Sequence, residues 1–260
     1  MDGTPTPWTQ SKPSTTSWPS PTTCIFEDWS RSIERQGDAL ARVLAERWDL
    51  RGGHVLDVAA GIGTQSLGLA ARGFDVYAAD LSARAIGRAR REAIRRGISL
   101  PVLAADFRWL PLASGAASAV IACDNALPHL LSLSEIRRAL EEFKRCLRHG
   151  GAVMLSMRDY NDPPPAGTVE HRPYGERLWN GRRFVAEQEW HWQGATYEVR
   201  LRIQPLDDDS APTVQVQARY FAVSVSTVLA LMREVGFSDV ERVDGAFYQP
   251  LLVGTVPRGV

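Results

Sequence analysis

The sequence predicts an α/β fold: a mostly parallel seven-stranded sheet with helices on both faces, and a small antiparallel β insertion after strand five. Three observations carry this expectation. Buried-strand and amphipathic-helix patterns alternate over about a hundred residues; a glycine turn follows the first strand; and after Pro163 the pattern changes to period-two alternation.

With 260 residues and 44% hydrophobic content, the chain can bury a sizeable core. Its 30 basic and 30 acidic residues cancel. No global field therefore draws in nucleic acid or an anionic membrane, and a small-molecule substrate is expected. Cys24, Cys123 and Cys146 are widely spaced, odd in number and without a CxxC pair. No metal site is expected, and a reducing, cytoplasmic compartment fits. No stretch approaches the roughly 18–20 apolar residues that span a bilayer, so no membrane partner is expected. Residues 1–23 are rich in Pro, Ser and Thr and lack the basic and apolar regions of a secretory signal. They read as a disordered tail.

Ile25 to Trp48 carries a helical stripe of Ile33, Leu40, Val43, Leu44 and Trp48, interrupted by Gly37 and Asp38, which predicts one or two covering helices. HVLDVAA then reads as a buried strand, Gln65 to Ala71 as a helix and DVYAAD as a second strand. The next helix has Ser82 as N-cap and Gly97 as stop. PVLAAD and AASAVIACDN are the third and fourth strands. A long amphipathic helix runs from LSEIRR to Gly150, and AVMLSMRDY is the fifth strand. Right-handed crossovers in such a sheet place ligands outside the carboxyl ends of the strands.

The later segments GRRFVAEQEWHWQGATYEVRLRI and TVQVQARYFAVSV alternate apolar and polar positions, about a Gln-Gly turn and after a DDDSAP loop. Trp190 and Trp192 share one strand face, read as core or as a contact between copies of the chain in a homo-oligomer. STVLALMREVGF returns to helix, SDVERVDG is a short strand and FYQPLLVGTV the last strand. The basic run Arg88 to Arg96 lies on an amphipathic helix and reads as a solvated face.

The chemistry concentrates in Val55 to Gln65. Gly61 and Gly63 make a tight turn after a buried strand and allow a backbone to approach a ligand. The spacing is AxGxG, with Asp57 inside the strand, and differs from the dinucleotide fingerprint GxGxxG that a nicotinamide-dependent oxidoreductase needs. Asp80, 17 residues after Gly63, ends the second strand, where a carboxylate can accept from ribose hydroxyls. Asp106 ends the third strand, placed for an adenine amino group.

The succession VLDVAAGIGT, VYAADLS, AADF and CDNALPHL resembles the motifs of class I S-adenosylmethionine-dependent methyltransferases. That resemblance implies a Rossmann-like fold and S-adenosyl-L-methionine as cofactor. It implies a cofactor set of Asp57, Ala59, Gly61, Gly63, Asp80, Leu81, Asp106, Phe107 and Cys123. Within the class, CDNALPHL and SMRDY are similar to the GNSFAHL-like and RNYD-like segments of the glycine and glycine/sarcosine N-methyltransferase group. This narrower resemblance implies Asn125 and His129 as orienting or catalytic groups and Arg158 as anchor for a substrate carboxylate, with Tyr160, Tyr174 and Tyr220 around the acceptor. Asp124 and Ala126 stand where that group has Gly and Ser. The extra carboxylate repels an acidic substrate or attracts an ammonium group.

These readings divide the chain into the tail, a cofactor-binding core with N-terminal cap helices at 24–160, the antiparallel insertion shaping a substrate pocket at 161–223, and a closing helix and strands at 224–260. Alternatives stay open. Arg158 also suits an ordinary ion pair, and His129 a helix cap. The reaction expected is N-methylation of an amine bearing a carboxylate. O-methylation of a small acid or natural product, or a non-catalytic module keeping only the fold, would use the same motifs.

Overall fold

The computed structural model describes residues 9–10, 25–179, 181–207 and 212–258. They divide into two compact units, one drawn from 30–161 and 223–260 and the other from 1–29 and 162–222.

The larger unit is built on a seven-stranded sheet. In chain order its elements are α1 (Trp29–Trp48), β2 (Gly53–Asp57), α2 (Thr64–Ala70), β3 (Phe74–Asp80), α3 (Ala83–Arg95), β4 (Val102–Ala104), β5 (Ala117–Ala122), α4 (Leu133–Cys146), β6 (Leu147–Ser156), α5 (Val225–Val235), β11 (Ser238–Val243) and β12 (Leu251–Thr255), β1 and β7–β10 belonging to the other unit. The strand order is β11-β12-β6-β5-β2-β3-β4, so the chain reverses direction across the sheet at β2 and β5. All pairings from β4 to β6 are parallel, and β12 is antiparallel to β6. This is the predicted class of fold. The central strands are apolar because both faces are covered: Val55, Ala119, Val120, Ile121, Val153 and Met154 are fully buried.

The helices follow from local signals. Ser82 caps α3 by accepting the Ala85 N–H at 3.2 Å, and Ser132 caps α4 by accepting the Glu135 N–H at 3.3 Å. On α4, Ile136, Ala139, Leu140 and Phe143 form the buried stripe.

Three expectations change. Gly37 does not break the first helix: α1 runs unbroken from Trp29 to Trp48, and Gly37 instead lets it press on α2. A Cβ on Gly68 would lie 2.5 Å from the Ile33 carbonyl and 2.8 Å from the Gly37 Cα. The long helix ends at Cys146 rather than Gly150, because Leu147 leaves helical geometry to pair with Ala117 at the start of β6. The third strand is shorter than expected. As the edge of the sheet, β4 stops at Ala104, which places Asp106 in the turn beyond it.

The smaller unit is an antiparallel sheet ordered β1-β10-β9-β8-β7, with β1 at Thr9–Gln10, β7 at Val169–Trp179, β8 at Arg182–Trp192, β9 at Thr196–Pro205 and β10 at Val214–Phe221. The residues expected as a tail thus include a two-residue strand paired with β10; the rest of 1–23, with Cys24, lies outside the described residues. The strand β7 escapes the sequence pattern because it is a charged edge strand with Pro173 and a register shift between Pro173 and Gly175. Trp190 and Trp192 are buried on one face, where Tyr197 stacks on both rings at 5.0 and 4.5 Å. Their face is core.

Among the described residues no helix is long and apolar enough to cross a membrane, and no group of three or more His, Cys, Asp or Glu is arranged to hold a metal ion.

Candidate active site

The carboxyl ends of β2, β3, β4, β5 and β6 carry a row of polar groups, and the loop entering antiparallel β12 joins them there. The turn after β2 is fixed at three points. Val58 N–H donates to the Ile121 carbonyl at 3.0 Å, Ala60 N–H to the Ala79 carbonyl at 2.9 Å and Gly63 N–H to the Ala60 carbonyl at 2.7 Å. The two glycines of this turn serve different needs. Both have positive φ, but a Cβ on Gly63 would meet the Ala89 Cβ of α3 at 2.9 Å, whereas a Cβ on Gly61 would meet nothing within 4 Å. Gly63 serves helix packing. Gly61 presents bare backbone to open space, a cradle suited to a ligand.

Two carboxylates hold this turn. Asp57 is fully buried; it accepts Ser66 Oγ–H at 2.5 Å and the Ala59 N–H at 3.4 Å, tying β2 to α2. Burial pushes its carboxyl up to about 7, against the pull of the Ser66 and Ala59 hydrogen bonds. Asp80, half-buried, accepts Gly61 N–H and Ser82 N–H, each at 2.8 Å, so the carboxylate that grips the glycine turn directly is Asp80. Burial raises its carboxyl, and the two N–H donors oppose the rise. Each of its oxygens retains a further lone pair for hydroxyl donors.

Asp106 is engaged by a residue the sequence reading did not single out. Arg108 donates its Nε and Nη2 to the Asp106 carboxylate, at 3.0 and 2.6 Å, and pairs with Glu135 at the start of α4. Burial works against the Asp106 charge, but the Arg108 side chain and N–H outweigh it and hold the carboxyl below its ordinary value. Phe107 packs edge-on against Phe143 of α4 at 5.7 Å, and Leu81 is exposed beside Asp80. A cleft of about 380 Å³ lies against α4; among the charges lining it, Arg108 pairs with Glu135 and Arg137 with Glu234.

At the end of β5 the chain takes two consecutive left-handed residues, Asp124 (φ 57°) and Asn125 (φ 64°). Asn and Asp tolerate this region better than other non-glycine residues, but it still costs about 1–2 kcal/mol each. The hub of the turn is buried Ser156. Its carbonyl accepts Asn125 N–H at 3.0 Å, its hydroxyl accepts Asp124 N–H at 2.8 Å and donates to Gln249 Oε1 at 3.0 Å. The Asn125 side chain points inward, accepting Arg158 N–H at 3.0 Å and bonding the Tyr160 hydroxyl at 2.8 Å. Asp124 is exposed, and its carboxylate accepts the Tyr248 hydroxyl; burial and this neighbouring charge push the Tyr248 hydroxyl upward, and Arg158 pulls it back. Asp159 is paired with Arg242.

Asn125, Arg158 and Tyr160 are therefore brought together, with Cys123 buried behind them and its thiol pushed up by burial and by Asp57. His129 ends a single 3-10 turn, Leu127–His129, half-buried, with its N–H on the Ala126 carbonyl. Tyr174 and Tyr220 belong to the other unit. Tyr220 stacks on Tyr197 at 5.2 Å, and Tyr174 packs on the cluster of Phe184, Ala186, Leu201, Ile203 and Val216. The sequence reading missed Ser66, Arg108, Ser156, Tyr248 and Gln249. Arg108, two residues from Asp106, and Ser156, the first residue of the SMRDY segment, had a local signal.

A turn with one glycine facing open space, with acidic groups at the ends of successive strands of this topology, suits a nucleotide-type cofactor. Residues 55–151 match the methyltransferase domain family. The chain is 38% identical over 214 residues to a glycine/sarcosine N-methyltransferase of Parasynechococcus marenigrum (strain WH8102), covering 82% of this chain and 72% of that one. A glycine/sarcosine N-methyltransferase of Halorhodospira halochloris is 33% identical over 145 residues, 55% of this chain and 51% of its own length. The fold matches the S-adenosylmethionine-bound structure of an amino pentose methyltransferase from Micromonospora echinaspora with a TM-score of 0.71 at 21% identity, covering 88% of this chain and 92% of that one. This chain belongs to the class I S-adenosylmethionine-dependent methyltransferases, and S-adenosyl-L-methionine is its cofactor. Within that class its sequence groups with the glycine/sarcosine N-methyltransferases.

Proposed function

We propose that this enzyme methylates the nitrogen of a small amine that bears a carboxylate, glycine or a related amino acid. The observation that carries the reading is Asn125. Its carboxamide, set by a left-handed backbone, holds the Arg158 N–H and the Tyr160 hydroxyl at the carboxyl end of the sheet. The names of the relatives support the same acceptor class.

In this reading Gly61 lays bare backbone along the methionine part of the cofactor, Asp80 receives ribose hydroxyls and Asp106, Phe107 and Leu81 border the adenine. Asp57, Ala59, Gly63 and Cys123 support them from behind. S-adenosyl-L-methionine supplies an electrophilic methyl group on a sulfonium, transferred in line with the nucleophile. The protein's task is alignment and exclusion of water. Arg158 grips the acceptor carboxylate with its planar fork, and Asn125 fixes the backbone from which that fork extends. His129 orients the acceptor from the adjoining turn. Tyr174 and Tyr220, packed in the other unit, carry no part of this reading.

The test is methyl transfer to glycine, sarcosine and dimethylglycine beside their hydroxy-acid counterparts. Product methylated on nitrogen is expected. Methyl found only on oxygen would replace the reading with O-methylation. Arg158→Lys should raise the acceptor KM about tenfold or more while cofactor affinity is unchanged; an unaltered KM removes Arg158 from the anchor role.

A further inference from the structure

We propose that the Asp124 carboxylate, aimed by the Tyr248 hydroxyl, is the group that recognises the nitrogen of the acceptor and selects amines over acids. The inference rests on the preceding reading of the acceptor class and names the residue that decides it.

Asp124 is the carboxylate of this row whose place in the packing is least spent on the fold. Asp57 is buried on Ser66 and Ala59, Asp80 holds the Gly61 and Ser82 N–H groups, Asp106 is gripped by Arg108 and Asp159 is paired with Arg242. Asp124 is exposed, immediately before inward-turned Asn125. It is held in a strained backbone conformation by the Ser156 hydroxyl on its N–H. Residues are kept in such conformations where the surroundings over-determine them, and these places are commonly functional.

The aim of the carboxylate is set from across the sheet. Tyr248 enters from the loop before β12, and the next residue, Gln249, is bonded to the same Ser156 hydroxyl. One neutral donor leaves a carboxylate most of its acceptor capacity and all of its charge. Tyr248 lies within the field of both Asp124 and Arg158, which act on its hydroxyl in opposite senses. The two charged residues are also tied by geometry: Asp124 directly precedes Asn125, whose carboxamide holds the Arg158 N–H. An amino acid, with an ammonium or amine close to a carboxylate, complements that pair; a simple acid presents a second anion to Asp124.

The charge serves the reaction as well as recognition. The neutral amine forms its N–C bond as the C–S bond breaks with its electron pair going to sulfur. The positive charge moves from sulfur to nitrogen, and the surplus N–H proton leaves to solvent. A fixed carboxylate beside the nitrogen favours the state in which that charge has arrived.

The experiment uses the full chain and three variants, Asp124→Asn, Asp124→Gly and Tyr248→Phe, with glycine, methylamine and glycolate as acceptors and calorimetric binding of S-adenosylhomocysteine as the control for the cofactor site. Asp124→Gly removes the charge while relieving the backbone strain, so it separates loss of recognition from misfolding. Both Asp124 variants should lose about tenfold or more in kcat/KM for glycine with cofactor affinity unchanged, and Tyr248→Phe should lose less, mostly in KM. Activity on glycine within twofold of the unmodified enzyme in Asp124→Gly overturns the proposal. Equal turnover of methylamine and glycine by the unmodified enzyme, lost in both Asp124 variants, would end the Arg158 reading and support Asp124. Turnover of glycolate alone overturns both.

Discussion

The Asn125 carboxamide and the Tyr160 hydroxyl are bonded at 2.8 Å inside the protein, 35 residues apart in sequence, and the same carboxamide holds the Arg158 N–H. One side chain thus fixes two residues of the segment that follows β6, Arg158 and Tyr160. Removing it takes a hydrogen-bond partner from a half-buried N–H and from a buried hydroxyl, a loss of about 1–3 kcal/mol. Asn125→Ala should lower the melting temperature by several degrees and reduce kcat/KM at least tenfold, whereas Tyr160→Phe should cost about 1 kcal/mol and a few-fold in rate. Melting curves and steady-state kinetics check both.

Buried Asp57 gives the fold a pH dependence of identifiable sign. Its carboxyl is raised to about 7 from an ordinary 3.8, so the folded state binds this proton more tightly than the unfolded chain does. The associated stability is fully present below about 3.8 and is lost as pH rises through about 7. Asp57→Asn removes the titration; its one carboxamide oxygen can accept from Ala59 while its NH2 donates to the Ser66 oxygen. The melting temperature of this variant should gain on that of the unmodified protein between pH 4 and 7; parallel curves would sink the assignment.

Three glycines should separate fold from function. Gly68→Ala forces a Cβ against the Ile33 carbonyl and the Gly37 Cα, and should cost about 1–3 kcal/mol of stability. Gly63→Ala adds a clash with Ala89 to an unfavourable φ, and should also act mainly on stability. Gly61→Ala has room for its methyl group and pays about 1–2 kcal/mol for its φ of +54°. Its chief effect should be a fall in S-adenosylmethionine affinity of tenfold or more, read by calorimetry beside the melting temperature.

Arg108 joins the turn after β4 to the start of α4 through Asp106 and Glu135. The lowered Asp106 carboxyl contributes stability above its unfolded value of about 3.8 that is lost as pH falls through the folded value. Arg108→Met removes this contribution and frees the turn carrying Phe107. Cofactor affinity should fall about three- to tenfold at pH 7, with a smaller change in melting temperature. An unchanged affinity would show that the turn holds its shape without the guanidinium.

The sequence by itself determined what is encoded over short stretches of chain. Central strands are apolar runs because both faces are covered, Ser82 announces a helix because its hydroxyl reaches an N–H group three residues on, and the turn at Gly61 and Gly63 is marked by its need for positive φ. Asp57, Asp80 and Asp106 followed because a parallel sheet brings successive strand ends to one edge. Tertiary structure decided the rest. The Gly37 position in α1 reads locally as a break, and only the approach of Gly68 makes it a contact. Leu147 continues a helical stripe in sequence, but its pairing with Ala117 makes it strand. Ser156 and Gln249 meet across 93 residues, and through the same Ser156 hydroxyl that contact holds the turn at Asp124. A side chain's periodicity records which face it occupies; which partner waits there depends on how distant segments pack.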